Sequence, residues 1–150
     1  MTTVYRQATE QDAQRIAEIH ALSRATSMPW LPVVHTAAED LWFYEHIVIP
    51  DQNVEVCEVD GTVIGFCAVS DPWLQHLYLD PSSQGKGIGS TLLASAKKGR
   101  KELNLWVFQQ NVEAQAFYSK HGFIEVTRTD GAANEEKSPD IHLRWIQSDA

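Results

Sequence analysis

Apolar residues alternate with polar ones in several short runs of this chain and recur at three- and four-residue spacing in others. Alternation over residues 4–8, Asn53–Val59, 62–69, Trp73–Leu79, 103–108, Ile124–Thr129 and 141–145 predicts strands. Asp60-Gly61 joins the second and third as a two-residue hairpin turn. Ala13, Ile16, Ala17 and Ile19 follow a Thr9-x-x-Asp12 capping pattern and predict a first helix to about Arg24. Met28-Pro29-Trp30-Leu31-Pro32 interrupts it, and a second helix is expected from Thr36 through Leu41, Trp42 and Glu45. Ile88, Leu92, Leu93 and Ala96 share one helical face; Val112–Lys120 forms a shorter helix that Gly122 stops. Residues 73–108 therefore read as strand, glycine loop, helix, strand, a crossover that leaves its two strands parallel within an otherwise antiparallel set. The last two strands are bridged by a polar loop over residues 130–139.

The chain has 150 residues, 43% of them apolar, enough to close one core, so a single domain over 1–150 is expected. Residues 1–11 have no basic start leading into an apolar stretch, and Glu45 and His46 break the most apolar region, residues 41–49, so neither export nor a membrane anchor is expected. The hairpin turn sets Cys57 opposite Ile64 and Cys67 opposite Val54, about three residues apart at ~3.4 Å each, beyond disulfide reach. Two free thiols fit a reducing cytoplasm.

A net charge of −8 argues against a binder of nucleic-acid phosphates. The charge is unevenly placed. No Asp or Glu occurs over residues 81–101, which hold Lys86, Lys97, Lys98, Arg100 and Lys101. Either this basic island faces an anionic ligand, or its last four members complement the negative end of a helix.

The segment Ser82-Ser83-Gln84-Gly85-Lys86-Gly87-Ile88-Gly89 runs into the third helix. A helix start carries unpaired N–H groups and roughly half a positive charge, which suits phosphate oxygens. Gly85, Gly87 and Gly89 remove the Cβ atoms that would bar a close approach, and Lys86 adds charge. The mononucleotide loop, with Gly-Lys-Ser/Thr four residues after a glycine, is absent. The dinucleotide fingerprint fails too, because Ser90 stands where it needs glycine and Gln109-Gln110 where it needs an acid.

Gln84-x-x-Gly87-x-Gly89 after a strand ending in Asp80-Pro81 resembles the acyl-CoA signature of the GNAT superfamily of N-acetyltransferases. Asn111, Tyr118 and Gly122-Phe123 resemble that family's second block at matching spacing; similarity at the level of motifs spans about residues 77–123. The resemblance implies an α/β (α+β) fold: a mixed central sheet of six or seven strands, antiparallel except for a splayed parallel central pair, flanked by about four helices. It implies acetyl-CoA as co-substrate, without a metal, and acetyl transfer to a primary amine of a small molecule or peptide by direct attack in a ternary complex. The backbone of Leu77, Tyr78 and Leu79 would bind the pantetheine arm and polarise the thioester carbonyl. Gln84, Gly85, Lys86, Gly87, Ile88 and Gly89 would hold the pyrophosphate, Asn111 would contact the arm, and Tyr118 would be the general acid for the departing thiolate as well as a cofactor contact. The packing alternative for Tyr118 is an aromatic buried beside Phe117 and Ala114.

The pattern departs from better-understood relatives at the base. Where some place glutamates, this chain has Trp73 to Gln75 and Leu105-Trp106-Val107. His76 has a suitable unperturbed pKa, yet a lone strand histidine also serves as a structural group. The acceptor site is expected from residues 28–45 and 130–140, with Trp30, His35 and Glu39 as candidate contacts alongside His76, and Trp42 as a wall or a core residue. Glu39, Asp40, Glu45, Asp130, Glu135 and Glu136 against Lys137 favour a cationic or polar amine over an acidic one. The six histidines and two cysteines show no metal-ligand spacing. Partners are thus a small-molecule or peptide amine, neither nucleic acid nor membrane, with a homodimer allowed. A competing class is a sensor that binds acyl-CoA without turnover; a nicotinamide enzyme is disfavoured by Ser90.

Overall fold

Two strands that run parallel but meet at one end only organise the molecule. In the computed structural model, which describes residues 2–148, seven strands form one sheet in the order β1-β2-β3-β4-β5-β7-β6. They are β1 (Thr3–Gln7), β2 (Asn53–Val59), β3 (Thr62–Ser70), β4 (Trp73–Leu79), β5 (Glu102–Phe108), β6 (Ile124–Thr129) and β7 (Asp140–Ile146). Every neighbouring pair is antiparallel except β4 and β5, whose register is limited to Trp73 opposite Asn104. Toward Leu79 and Phe108 the two strands diverge, so backbone groups of β4 that point at β5 have no ladder partner among the described residues.

The closed end of this fork is pinned by a buried amide. The Asn104 backbone N–H donates to the Pro72 carbonyl (2.8 Å), and its Oδ1 accepts from His142 Nε2 (2.8 Å) and Arg144 Nε (3.0 Å). Its Nδ2 donates to Glu102 (2.9 Å), so one side chain ties the start of β5 to β7. The open end is propped by Gln115, whose Nε2 donates to the carbonyls of Phe108 (3.1 Å) and Gln109 (2.8 Å).

Helices α1 (Ala13–Ser27) and α2 (Ala37–Phe43) cover one face, and α4 (Ile88–Lys97) and α5 (Val112–Lys120) the other. The chain continues past α2 through a π-helical turn (Tyr44–Val48) and a last turn α3 (Ile49–Asp51), longer than the expected second helix. The Thr9 capping pattern forms as read, on a 3-10 turn (Glu10–Asp12) ahead of α1, and a second capping box joins Thr36 to Glu39. The α4–α5 side is packed by Leu92, Leu93, Leu103, Leu105, Phe123 and Ile141; the α1–α2 side by Ile16, Ile19, Tyr44, Val48, Val56 and Phe66.

Three local expectations are corrected. A bulge after Cys57 pairs it with Gly65 and sets Cys67 opposite Glu55, one residue off the ladder of an uninterrupted hairpin. Both thiols are free and buried, and burial pushes that of Cys67 up to about 12. A second bulge, at Gln75 in β4, lets Leu74 and Leu77 share the α4 side while Trp73, His76 and Tyr78 face α1 or the open sheet. Trp42 is no core residue: it is 57% exposed and lies against His46.

Candidate active site

The fork opens into a cleft of about 460 Å³. Leu77, Tyr78 and Leu79 form one wall; Gln84, Gly85, Gly87, Gly89 and Ser90 form the end; Asn111, Ala114, Phe117 and Tyr118 form the other wall. Sequence elements far apart thus converge, and nine of the eleven expected cofactor residues line one cavity. The other two do not. The Ile88 side chain is buried in the core, leaving only its backbone for a ligand, and Lys86 is exposed beside the loop.

The loop has the geometry of an anion cradle. Gly85 (φ +78°) and Gly87 (φ +82°) occupy the left-handed region, where a Cβ is strained, and the space a Cβ would enter is open to 4 Å. Helical bonding begins with Thr91 N–H to the Gly87 carbonyl, leaving the N–H groups of Ile88, Gly89 and Ser90 ahead of it. Gly89 is different: a Cβ there would be in ordinary contact with Phe117 at 3.5 Å. Two other members of the basic island bond carbonyls at the ends of α4 and α5. Arg100 donates to the Ala96 carbonyl (2.7 Å), and Lys97 donates to the His121 carbonyl (2.6 Å) with its Nζ 4.9 Å from the Trp145 ring centre.

Asn111 caps α5, its Oδ1 accepting from the Ala114 N–H (3.2 Å), so its amide Nδ2 is the side-chain group left for a ligand. Tyr118 is held by ring contacts to Phe117 (5.2 Å) and Phe123 (5.4 Å), 8% exposed. Its hydroxyl makes no hydrogen bond among the described residues, and burial raises its pKa well above 10, so it enters any reaction protonated.

On the α1 side, residues 28–36 and the β6–β7 loop meet above the sheet: His35 Nε2 lies 2.5 Å from Glu135, and Arg24 lies 3.6 Å from Glu136. A cleft of about 410 Å³ runs between this loop and Trp106, Val107 and Phe108; a second of about 410 Å³ lies between residues 28–36 and α1. The expected acceptor contacts are dispersed. His35 lines the second cleft; Trp30 packs edge-on to Phe108 (6.1 Å); the Glu39 carboxylate accepts the Thr36 N–H at the start of α2. His76 lines none of these clefts. It sits among His20, Phe43, Tyr44 and Tyr78, where burial, with Arg24 adding to the effect, pushes its pKa down to about 4. Burial thus favours the neutral imidazole, whose ring contacts are those of a packing side chain. Sequence named Asp40 and Glu136 only as part of an acidic field and did not single out Arg24, because their placement depends on how two distant loops meet.

The chain matches the Acetyltransferase (GNAT) domain over residues 50–125, which takes in the fork, the glycine loop and Tyr118. It belongs to the GNAT acetyltransferase family. Among curated relatives, the spermidine N(1)-acetyltransferase of Thermoplasma acidophilum is 42% identical over 82 residues, 49% of this chain and 50% of that protein. The peptidyl-lysine N-acetyltransferase YjaB of Escherichia coli is 34% identical over 83 residues, 55% of this chain and 56% of that protein. The matched region is thus about half the length of these relatives. The crystal structure of the PaiA N-acetyltransferase of T. acidophilum in complex with coenzyme A superimposes with a TM-score of 0.79 over 98% of this chain and 100% of that one, at 24% identity. The GNAT fold expected from the motifs is the fold observed: seven strands, one splayed parallel pair, helices on both faces. No helix among the described residues is long and apolar enough to cross a membrane, and no cluster of His, Cys, Asp or Glu there has metal-site geometry.

Proposed function

We propose that this GNAT domain transfers an acetyl group from acetyl-CoA to a primary amine by direct attack within a ternary complex. The observation that carries the reading is the single cleft in which the unpaired β4 backbone, the open glycine cradle and the protonated Tyr118 hydroxyl converge. The cradle fits a pyrophosphate by its open, positive-φ glycines, and the fork fits an extended arm that completes the missing ladder of β4. Bound there, acetyl-CoA supplies an activated acyl carbon and a thiolate leaving group. The chain's own residues do the rest. Backbone N–H groups over Leu77–Leu79 orient the arm and polarise the acyl oxygen. Tyr118 donates its proton to the departing sulfur. Water-relayed proton removal, or capture of the small neutral fraction of the amine, replaces a direct histidine base.

The acceptor is a cationic amine in preference to an acidic one, supported by the acidic residues on residues 28–45 and 130–140. The names of the two relatives point the same way: spermidine and lysine side chains are ammonium ions at neutral pH. Initial rates of thiol release, measured while acetyl-CoA and amine are both varied, test the order of events. Intersecting lines are expected; parallel lines, the mark of an acetyl-enzyme, would overturn direct attack. Tight acetyl-CoA binding with no thiol release from any amine would convert the reading to a sensor.

A further inference from the structure

The carboxylates around the two α1-side clefts are spoken for, with one exception. Glu39 accepts from Thr36 (2.8 Å), Glu45 lies 3.3 Å from His46, and Asp130 accepts from the Ala132 N–H (2.9 Å). Glu135 is engaged by His35 and Glu136 by Arg24, while Asp140 accepts from Thr129 and from Asn134 (3.1 Å). Asp40 differs: no hydrogen bond or ion pair reaches its side chain among the described residues, although it is half-buried and lines the 410 Å³ pocket between α1 and residues 28–36.

A half-buried carboxylate gives up part of its hydration and recovers it only from a cation or donors. The neighbouring cations are already committed, Arg24 to Glu136 and His35 to Glu135. Burial accordingly holds the Asp40 carboxyl above its ordinary range, with His35 and Arg24 pulling the other way. The remaining lining is mostly apolar: Ala21, Ala25, Met28, Leu31, Pro32 and Val34. Met28 also lines the cleft along β4, so the pocket adjoins the fork.

We propose that this pocket receives the acceptor as a primary ammonium carried on an uncharged, apolar body, with Asp40 as the residue that selects it. The assignment rests on the acetyltransferase reading for the identity of the ligand as acceptor, but the pocket's preference is a binding property of its own. A polyamine would have to lay its further charges against Ala21, Leu31 and Pro32, and an acidic amine would meet Asp40 with the wrong sign. Phenethylamine satisfies both walls and carboxylate.

Calorimetry with the full chain saturated in CoA, titrated with phenethylamine, spermidine and glutamate, tests the proposal. Phenethylamine is expected to bind tightest, and Asp40→Asn to weaken it by about tenfold or more, the loss of one charge-assisted contact, with acetyl-CoA affinity and Tm unchanged. Ala25→Phe, at an exposed helix position on the pocket wall, should weaken it independently. Absent phenethylamine binding, tighter spermidine binding, or an Asp40→Asn variant that binds like the parent would overturn the proposal. The same samples in a thiol-release assay separate the two readings. Binding without turnover sinks the transferase and leaves the pocket standing; turnover indifferent to Asp40→Asn does the reverse.

Discussion

Replacing Tyr118 with phenylalanine isolates one atom. The ring would keep its packing on Phe117 and Phe123, and the hydroxyl has no protein hydrogen bond to lose. Stability should therefore shift by no more than about 0.5 kcal/mol, or ~1–2 °C in Tm for a domain of this size. Alanine would be less informative, since it would hollow the wall between α5 and β6 at about 3–5 kcal/mol. The catalytic cost follows from what the hydroxyl is asked to do. General acid assistance is worth roughly 10²–10⁴, so turnover should fall about a hundredfold or more, ~2.7 kcal/mol on the barrier. Acetyl-CoA affinity should stay within about twofold, because the lost contact matters when charge develops on sulfur. Burial holds the group protonated, so the parent's kcat should show no descending limb from this tyrosine below about pH 10. The assay is stopped-flow thiol release at saturating substrates. An unchanged single-turnover rate in the Tyr118→Phe variant would reduce the residue to packing.

Gly87→Glu adds a side chain and a negative charge at a left-handed position open to the cleft; acetyl-CoA binding by calorimetry should drop by at least about a hundredfold while circular dichroism keeps the native spectrum. Asn104→Leu removes both acceptor and donor from the closed end of the fork and strands His142 and Arg144, so a loss of about 2–4 kcal/mol in denaturant unfolding is expected, and a loss under 0.5 kcal/mol would contradict the pinning role. His20 is buried and hydrogen-bonded through Nδ1 to the Tyr44 hydroxyl (2.7 Å), with its pKa pushed down to about 3, mainly by burial. The native state therefore binds fewer protons than the unfolded chain between about pH 6.5 and 3, and stability should fall as pH drops through that window; His20→Phe should flatten this slope in thermal melts. Cationic acceptors should outpace acidic ones at low salt, with the margin narrowing as salt screens the field.

Much of the fold was legible because its punctuation is local. Trp73–Leu79 ends where Asp80-Pro81 forbids continuation, and Val112–Lys120 begins at a capping Asn111 and ends at Gly122 (φ +88°), so both elements match expectation residue for residue. The glycine loop was readable for the same reason: alternate glycines at a helix start disfavour the helix unless something is accommodated there. The bulges at Ile64 and Gln75 were not, since one unpaired residue leaves composition and spacing unchanged while reversing which side chains face the core. That reversal turns His76 into the aromatic nest. The acceptor side was least legible. His35 meets Glu135, and Arg24 meets Glu136, across a hundred residues of chain or more, and only the folded register tells which carboxylate is left over.

The central claim is that one cleft both holds acetyl-CoA and delivers its acetyl group to an amine. The most direct measurement follows, in one reaction of the full chain with acetyl-CoA and a cationic primary amine, the free thiol released and the acetylated amine formed, the latter by mass spectrometry. The two are expected in equal amounts, with neither produced when the amine is left out. Thiol released without acetylated amine, or acetyl-CoA left intact while tightly bound, would contradict it.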